Sequence, residues 1–210
     1  MEKPATRPNP LLVALRIMRA SLGDIWADMW TALVCDLIWL LSVVLILPGP
    51  PVTLALVYFA NRRAHEDLTD LKDLWHGFRL YWKPAWRWGI LNLLILSLLV
   101  GDFYLTGRSD PASPLRFIQS FYLAVVLVWL MVQFYALPFL IEQEQPSLRQ
   151  ALRNGAVMLG QNIVFSVCFG FGLLLICLVG IPLFFLTVGF GPLFLAFAAN
   201  RAVLMRLGRD

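Results

Sequence analysis

Two stretches of this chain, residues 117–141 and 163–199, contain no charged side chain. An uncharged apolar run longer than about 18 residues fits the hydrocarbon core of a bilayer, which is about 30 Å thick. In lipid every backbone N–H and C=O must find a partner inside the protein, which leaves helices or a closed barrel. Barrel strands would read as short alternating segments, whereas these runs are continuous. The whole chain is 60% hydrophobic and 14% charged, against about 45–50% and about 25% for a soluble domain. The expectation is an all-α polytopic transmembrane helical bundle.

Residues 1–25 read as a loose, proline-rich tail followed by a short interfacial helix over LLVALRIMRASL, and residues 26–210 as a single transmembrane domain. The first span runs from about Trp26 to Leu47 and stops at Pro48-Gly49-Pro50-Pro51. A second apolar helix, Val52 to Asn61, is short for a bilayer. Residues 67–83 are amphipathic, with Leu68, Leu71, Leu74, Trp75, Phe78, Tyr81 and Trp82 on one face, and predict a helix lying on the membrane surface, ended or kinked by Pro84. Spans follow at about Trp86 to Leu105 and Phe117 to Ile141. A second surface helix covers about 147–160, where Ser147 and Gln150 have capping-box spacing. The run 163–199 holds two spans, turning at either Gly180-Ile181-Pro182 or Gly189-Phe190-Gly191-Pro192. That totals six spans; four would follow if both Gly-Pro pairs were re-entrant. The first long apolar run begins too far in for a cleavable signal peptide.

Under this topology all 17 basic residues except Arg108 and Arg116 fall on one side with both termini. The positive-inside rule makes that side cytoplasmic. The net charge of +4 flanks apolar runs and forms no patch, so nucleic acid is not an expected partner. The lipid bilayer is.

Two echoes suggest an internal repeat. Shifting by 78 residues lays Leu74-Trp75-His76-Gly77 over Leu152-Arg153-Asn154-Gly155. Gly49-Pro50 precedes a helix ending Ala60-Asn61-Arg62, and Gly191-Pro192 one ending Ala199-Asn200-Arg201. Such repeats would be parallel, since both run the same way through the membrane.

Asp36 is the sharpest chemical feature, a carboxylate inside the first span. It either lines a polar path or pairs with a basic group of another helix, or else it is protonated, or bonded to an amide such as Asn92 or Gln133, and acts only as interhelical glue. The helix-break pairs Gly49-Pro50 and Gly191-Pro192 are hairpin ends or anion-holding helix starts. Trp75, Phe78, Tyr81 and Trp82 form either an interfacial anchor or a docking face. The three cysteines, Cys35, Cys168 and Cys177, sit in apolar segments and show no C-x-x-C pattern. His65 and His76 have no ligand-spaced neighbour. No nucleotide loop, nucleophile elbow or paired catalytic carboxylates occur. The expectation is a protein without enzymatic activity, cofactor or metal.

Asp36-Leu37-Ile38-Trp39-Leu40-Leu41-Ser42, then Leu47-Pro48-Gly49-Pro50 and Tyr58, form one distinctive block; Trp75-His76-Gly77-Phe78-Arg79-Leu80-Tyr81-Trp82-Lys83 forms another. Over about residues 30–105 these resemble the YesL-like family of bacterial membrane proteins, whose function is unknown. The chain departs from that pattern in carrying Asp36 where the family has asparagine, and in Pro51. The resemblance implies a bacterial cytoplasmic membrane location and an association with ABC-type carbohydrate uptake. The functional expectation is therefore an accessory or structural subunit of a larger membrane assembly, with a membrane-protein partner. The alternative is a small carrier or channel that uses Asp36.

Overall fold

A computed structural model describes residues 9–65, 67–108, 115–180 and 184–208. Among these the structure is all helix: α1 (Pro10–Ala27), α2 (Met29–Val44), α3 (Gly49–Ala64), α4 (Leu71–Leu80), α5 (Trp82–Gly107), α6 (Leu115–Ile141), α7 (Leu148–Gln161), α8 (Ile163–Gly180) and α9 (Phe184–Leu207).

The helix ends follow from local chemistry. Pro10 opens α1, where its missing N–H costs nothing, and Asn9 accepts from the Leu11 amide at 3.0 Å. Asp28 separates α1 from α2 and caps the second helix through the Thr31 amide. Asp70 and Asp73 form a reciprocal capping box on α4. Ser147 is the N-cap of α7 but makes no side-chain cap; its own amide donates to Gln143 Oε1 at 2.7 Å instead. The α4–α5 break falls at Tyr81, and Pro84 sits in the first turn of α5 where proline is tolerated.

The nine helices repeat one plan three times. In each unit an outer helix meets a second helix across a single joint residue, Asp28, Tyr81 or Asn162, and a return helix follows. The bends at Asp28 and Asn162 are 98° and 99°. The return helices α3, α6 and α9 pack on one another at the centre. Each carries the outer helix of the next unit: α4 lies on α3, α7 on α6, and α1 on α9, which closes the ring. The 78-residue spacing of the sequence is visible here as two close crossings. A Cβ on Gly77 of α4 would lie 2.7 Å from the Tyr58 ring of α3; one on Gly155 of α7 would lie 2.8 Å from the Val132 carbonyl of α6 and 3.0 Å from the Ala136 amide. Tyr58 and Ala136 are themselves 78 positions apart.

The core lies along the three central helices, where Leu54, Tyr135, Leu140, Leu193 and Val203 are fully buried. It includes Ala14, Ile17, Met18 and Ile25 of α1, so that helix belongs to the same body as the rest. The outward faces are apolar too: Leu37 and Leu41 of α2, Leu93 and Leu98 of α5, Phe121 and Leu127 of α6, and Val164 and Val167 of α8 are all exposed. Such faces match lipid and not water. Taken singly, α5, α6 and α9 contain stretches long and apolar enough to cross a membrane; counting each bent pair, α1–α2 and α7–α8, as one span gives up to five. The sequence expectation of six rests on α3 as well. At 16 residues α3 spans about 24 Å, short of a full bilayer.

Candidate functional site

Asp36 is fully buried on α2. Its Oδ1 accepts the Leu193 amide of α9 at 2.9 Å, and its Oδ2 has no partner. Leu193 follows Pro192, so two features singled out separately in the sequence meet here. Asn92 and Gln133 do not join them. Trp129 Nε1 donates to Asn92 Oδ1 at 3.0 Å, and Trp88 Nε1 to Gln133 Oε1 at 2.7 Å. Those two amides bind α5 to α6 within the second unit, as Trp39 Nε1 and Thr53 Oγ1 bind α2 to α3 in the first. The reason is register: α2 faces α9, whereas α5 faces α3 and α6. The expected intramembrane polar site of Asp36, Asn92 and Gln133 is thus two sites.

The two Gly-Pro pairs also part company. Gly49 and Pro50 open α3 after a turn in which Ile46 adopts φ 62°, an unusual conformation for a β-branched residue. Gly191 and Pro192 lie inside α9 and break nothing. Of the two turns considered for 163–199, residues 181–183 lie outside the described residues, but α8 ends at Gly180 and α9 runs on through Pro192.

A second polar cluster joins the central helices. Asn61 of α3 donates to Asn200 of α9 at 3.1 Å and to Glu142, just beyond α6, at 2.6 Å. Asn200 in turn donates to the carbonyls of Val57 and Ala196 at 3.0 and 2.9 Å. His65 reaches the same Glu142 oxygen at 2.8 Å. The neighbouring arginines clamp the outer helices. Arg201 holds Asp24 of α1 through two bonds of 2.8 and 2.9 Å, and Arg62 pairs with Asp73 of α4 and with Asp67. The Ala-Asn-Arg echo of the sequence therefore marks equivalent positions with equivalent duties. Glu142 and His65 carried no sequence signal, because their partners are distant in the chain.

The aromatic face of α4 is divided. Trp75 is 54% exposed and Trp82 38%, with Phe78 between them, stacked on Trp75 at 5.2 Å and edge-on to Trp82 at 5.1 Å. Tyr81 does not share that face. It is buried beside Leu74 and Gly77, near the Tyr58 ring, and its hydroxyl points to the Ile141 carbonyl at 3.4 Å. Burial pushes the Tyr81 hydroxyl above its ordinary pKa. The correction is geometric: the tightest line of α4 against α3 runs through its small residue, Gly77, and carries Tyr81 inward. Beside it lies an open bowl of ≈ 410 Å³ between α3 and α4, lined by residues including Tyr58, Arg62, Lys72, His76 and Arg79. A second cleft of ≈ 10 Å³, room for about one water, is lined by residues including Asp24, Asp28, Thr31, Arg63 and Leu193.

Among the described residues no three His, Cys, Asp or Glu side chains come together to hold a metal ion. Cys35 is buried and Cys168 half-buried; the side chain of Cys177 lies outside the described residues. No family model, no curated protein and no solved structure matches the chain.

Proposed function

We propose that this chain is a six-span protein of the bacterial cytoplasmic membrane, with both termini cytoplasmic, that serves as a non-enzymatic structural subunit of a larger membrane assembly. Two observations support the topology. The three-fold repetition of outer, second and return helices is compatible with two passages per unit. The basic residues fall on the side that this path makes cytoplasmic. The subunit reading is carried by the filled centre: where α3, α6 and α9 converge, Leu54, Tyr135, Leu193 and Asn200 pack without exposure, and the polar groups bond one another. A centre packed in this way suits a part that holds neighbours in place. The YesL-like resemblance points to carbohydrate uptake as the setting. The test uses the full chain extracted in a mild detergent. A subunit gives a complex of fixed stoichiometry that survives size separation, and moves no sugar when reconstituted by itself. Transport by the isolated chain would refute the reading.

One observation favours the carrier alternative. Leu193 both lines the narrow cleft and bonds Asp36, whose second oxygen is unpartnered. Ionisable groups inside a membrane are costly and serve ion or proton pathways. Under this reading Asp36→Asn abolishes uptake in vesicles containing only this chain.

A further inference from the structure

We propose that the bowl between α3 and α4 binds the headgroup of an anionic phospholipid. The inference rests on the membrane placement proposed above. Arg62, Lys72 and Arg79 line the bowl and face one lining carboxylate, Asp73, which Arg62 already engages. Asp67 also pairs with Arg62 and Asp70 lies near Lys72, so among the described residues Arg79 is the lining cation that no carboxylate engages. Lys72 extends into solvent with its side chain 93% exposed, and the Asp70 carboxylate is 3.9 Å away. Arg79 lies over the Trp75 ring with its guanidinium 4.9 Å from the ring centre. Stacking occupies the flat face of a guanidinium and leaves its edge N–H groups for the oxygens of a phosphate. Arg62, fixed by Asp67 and Asp73, adds a preoriented cation, and His76 adds a ring nitrogen to the lining.

The wall of the bowl selects a lipid over a free anion. Trp75 belongs both to the lining and to the Trp75–Phe78–Trp82 aromatic series, with Leu71 and Leu80 exposed on the same short helix. Aromatic rings beside cations on a surface-lying amphipathic helix meet the glycerol and upper acyl chain while the cations meet the phosphate. A soluble phosphate would use only the cations. The volume of ≈ 410 Å³ suits a phosphoglycerol group and excludes nothing of its size.

The experiment uses the full chain in detergent, offered equal amounts of phosphatidylglycerol and phosphatidylcholine, with retained lipid counted by native mass spectrometry. The wild type should retain phosphatidylglycerol preferentially. A cation near an anionic headgroup is worth about fivefold in binding, so Lys72→Gln should cut the preference about fivefold and Lys72→Gln with Arg79→Gln about twentyfold. Arg149→Gln with Arg153→Gln, two cations of α7 away from the bowl, should leave it intact. The single Lys72→Gln keeps the test decisive if the double variant fails to fold. An unchanged preference in Lys72→Gln, or an equal loss in the α7 variant, overturns the proposal. Full displacement of the lipid by millimolar inorganic phosphate overturns it in favour of a phosphate site. A chain that stays dispersed without detergent would instead overturn the membrane placement, which keeps the two failures separate.

Discussion

Gly155→Ala should destabilise the protein, although alanine is the better helix former. The added Cβ would stand 2.8 Å from the Val132 carbonyl oxygen, 3.0 Å from the Ala136 amide and 3.3 Å from the Ala136 Cα. All three atoms belong to the backbone of α6 and cannot rotate away, so α7 must lift off. Overpacking of this kind costs about 1–3 kcal/mol, and the rigid neighbours place it toward the upper end. Alanine returns about 1 kcal/mol of helix propensity, which leaves a net loss of about 1–2 kcal/mol. Gly160, on the same helix, has nothing within 4 Å of its Cβ position. Gly160→Ala should therefore stabilise by up to about 1 kcal/mol. The two variants differ by about 2–3 kcal/mol, which for a chain of this size is a separation of roughly 5–10 °C in melting temperature. The eight tryptophans allow the melt to be followed by fluorescence in detergent. If Gly155→Ala melts with or above Gly160→Ala, the close crossing of α7 on α6 is wrong, and the repeat inferred from it falls too.

Asp36→Asn keeps an acceptor for the Leu193 amide and removes a carboxylate from an apolar interior, so the melting temperature should hold or rise; Asp36→Leu deletes the acceptor and should cost about 1–3 kcal/mol. Equal losses in both would contradict the bond. Arg201→Gln breaks the two-bond clamp on Asp24, a pair only 27% and 16% exposed, and should cost about 1–3 kcal/mol. A double-mutant cycle with Asp24→Asn should recover a coupling above about 1 kcal/mol, and additivity would show that the clamp contributes nothing. Tyr81 sets an alkaline limit. Unfolded tyrosine releases its proton near about pH 10, while the buried hydroxyl holds on to it. Above that pH the unfolded state binds fewer protons, so stability falls as pH rises, by up to about 1.4 kcal/mol per pH unit until the folded group also ionises. Stability curves above pH 10 should be flatter in Tyr81→Phe than in the wild type; identical slopes would place the hydroxyl in water.

Composition was enough to indicate helices apolar enough to cross a membrane, because uncharged runs such as 117–141 have few alternatives. The unit of repetition was half legible. The Ala-Asn-Arg and 78-residue echoes touch residues that do occupy equivalent places, Asn61 with Asn200 and Gly77 with Gly155. The first unit was hidden, since its outer helix α1 has no glycine at a close crossing and is recognised by its bend and its place on α9. Partners were not legible. Polar groups on helices far apart in sequence have no local rule that pairs them, so Asp36 was matched with amides of the wrong hairpin. Pro192 belonged to one of two candidate turns because proline removes one helical N–H; α9 absorbs that loss and continues.

The same repetition isolates what is unusual about Asp36. Asp36, Gly89 and Gly170 each stand at the eighth position beyond their joint, and each faces the central helix of the preceding unit. Glycine at two of them answers to steric need. A Cβ on Gly89 would lie 2.7 Å from the Pro50 ring, and one on Gly170 would lie 3.2 Å from the Met131 sulfur. In the first unit the space against α9 admits a side chain, and packing alone would be met by leucine or asparagine of similar volume. A carboxylate there gains one backbone hydrogen bond, a net contribution of about 1 kcal/mol. Held ionised in a membrane interior, it would cost at least about 2.5 kcal/mol. The balance is unfavourable, and its second oxygen, left without a partner, does nothing to redress it. Packing therefore accounts for a side chain at position 36 but not for its acidity, and that excess of chemistry over architecture occurs where the three-unit plan is departed from.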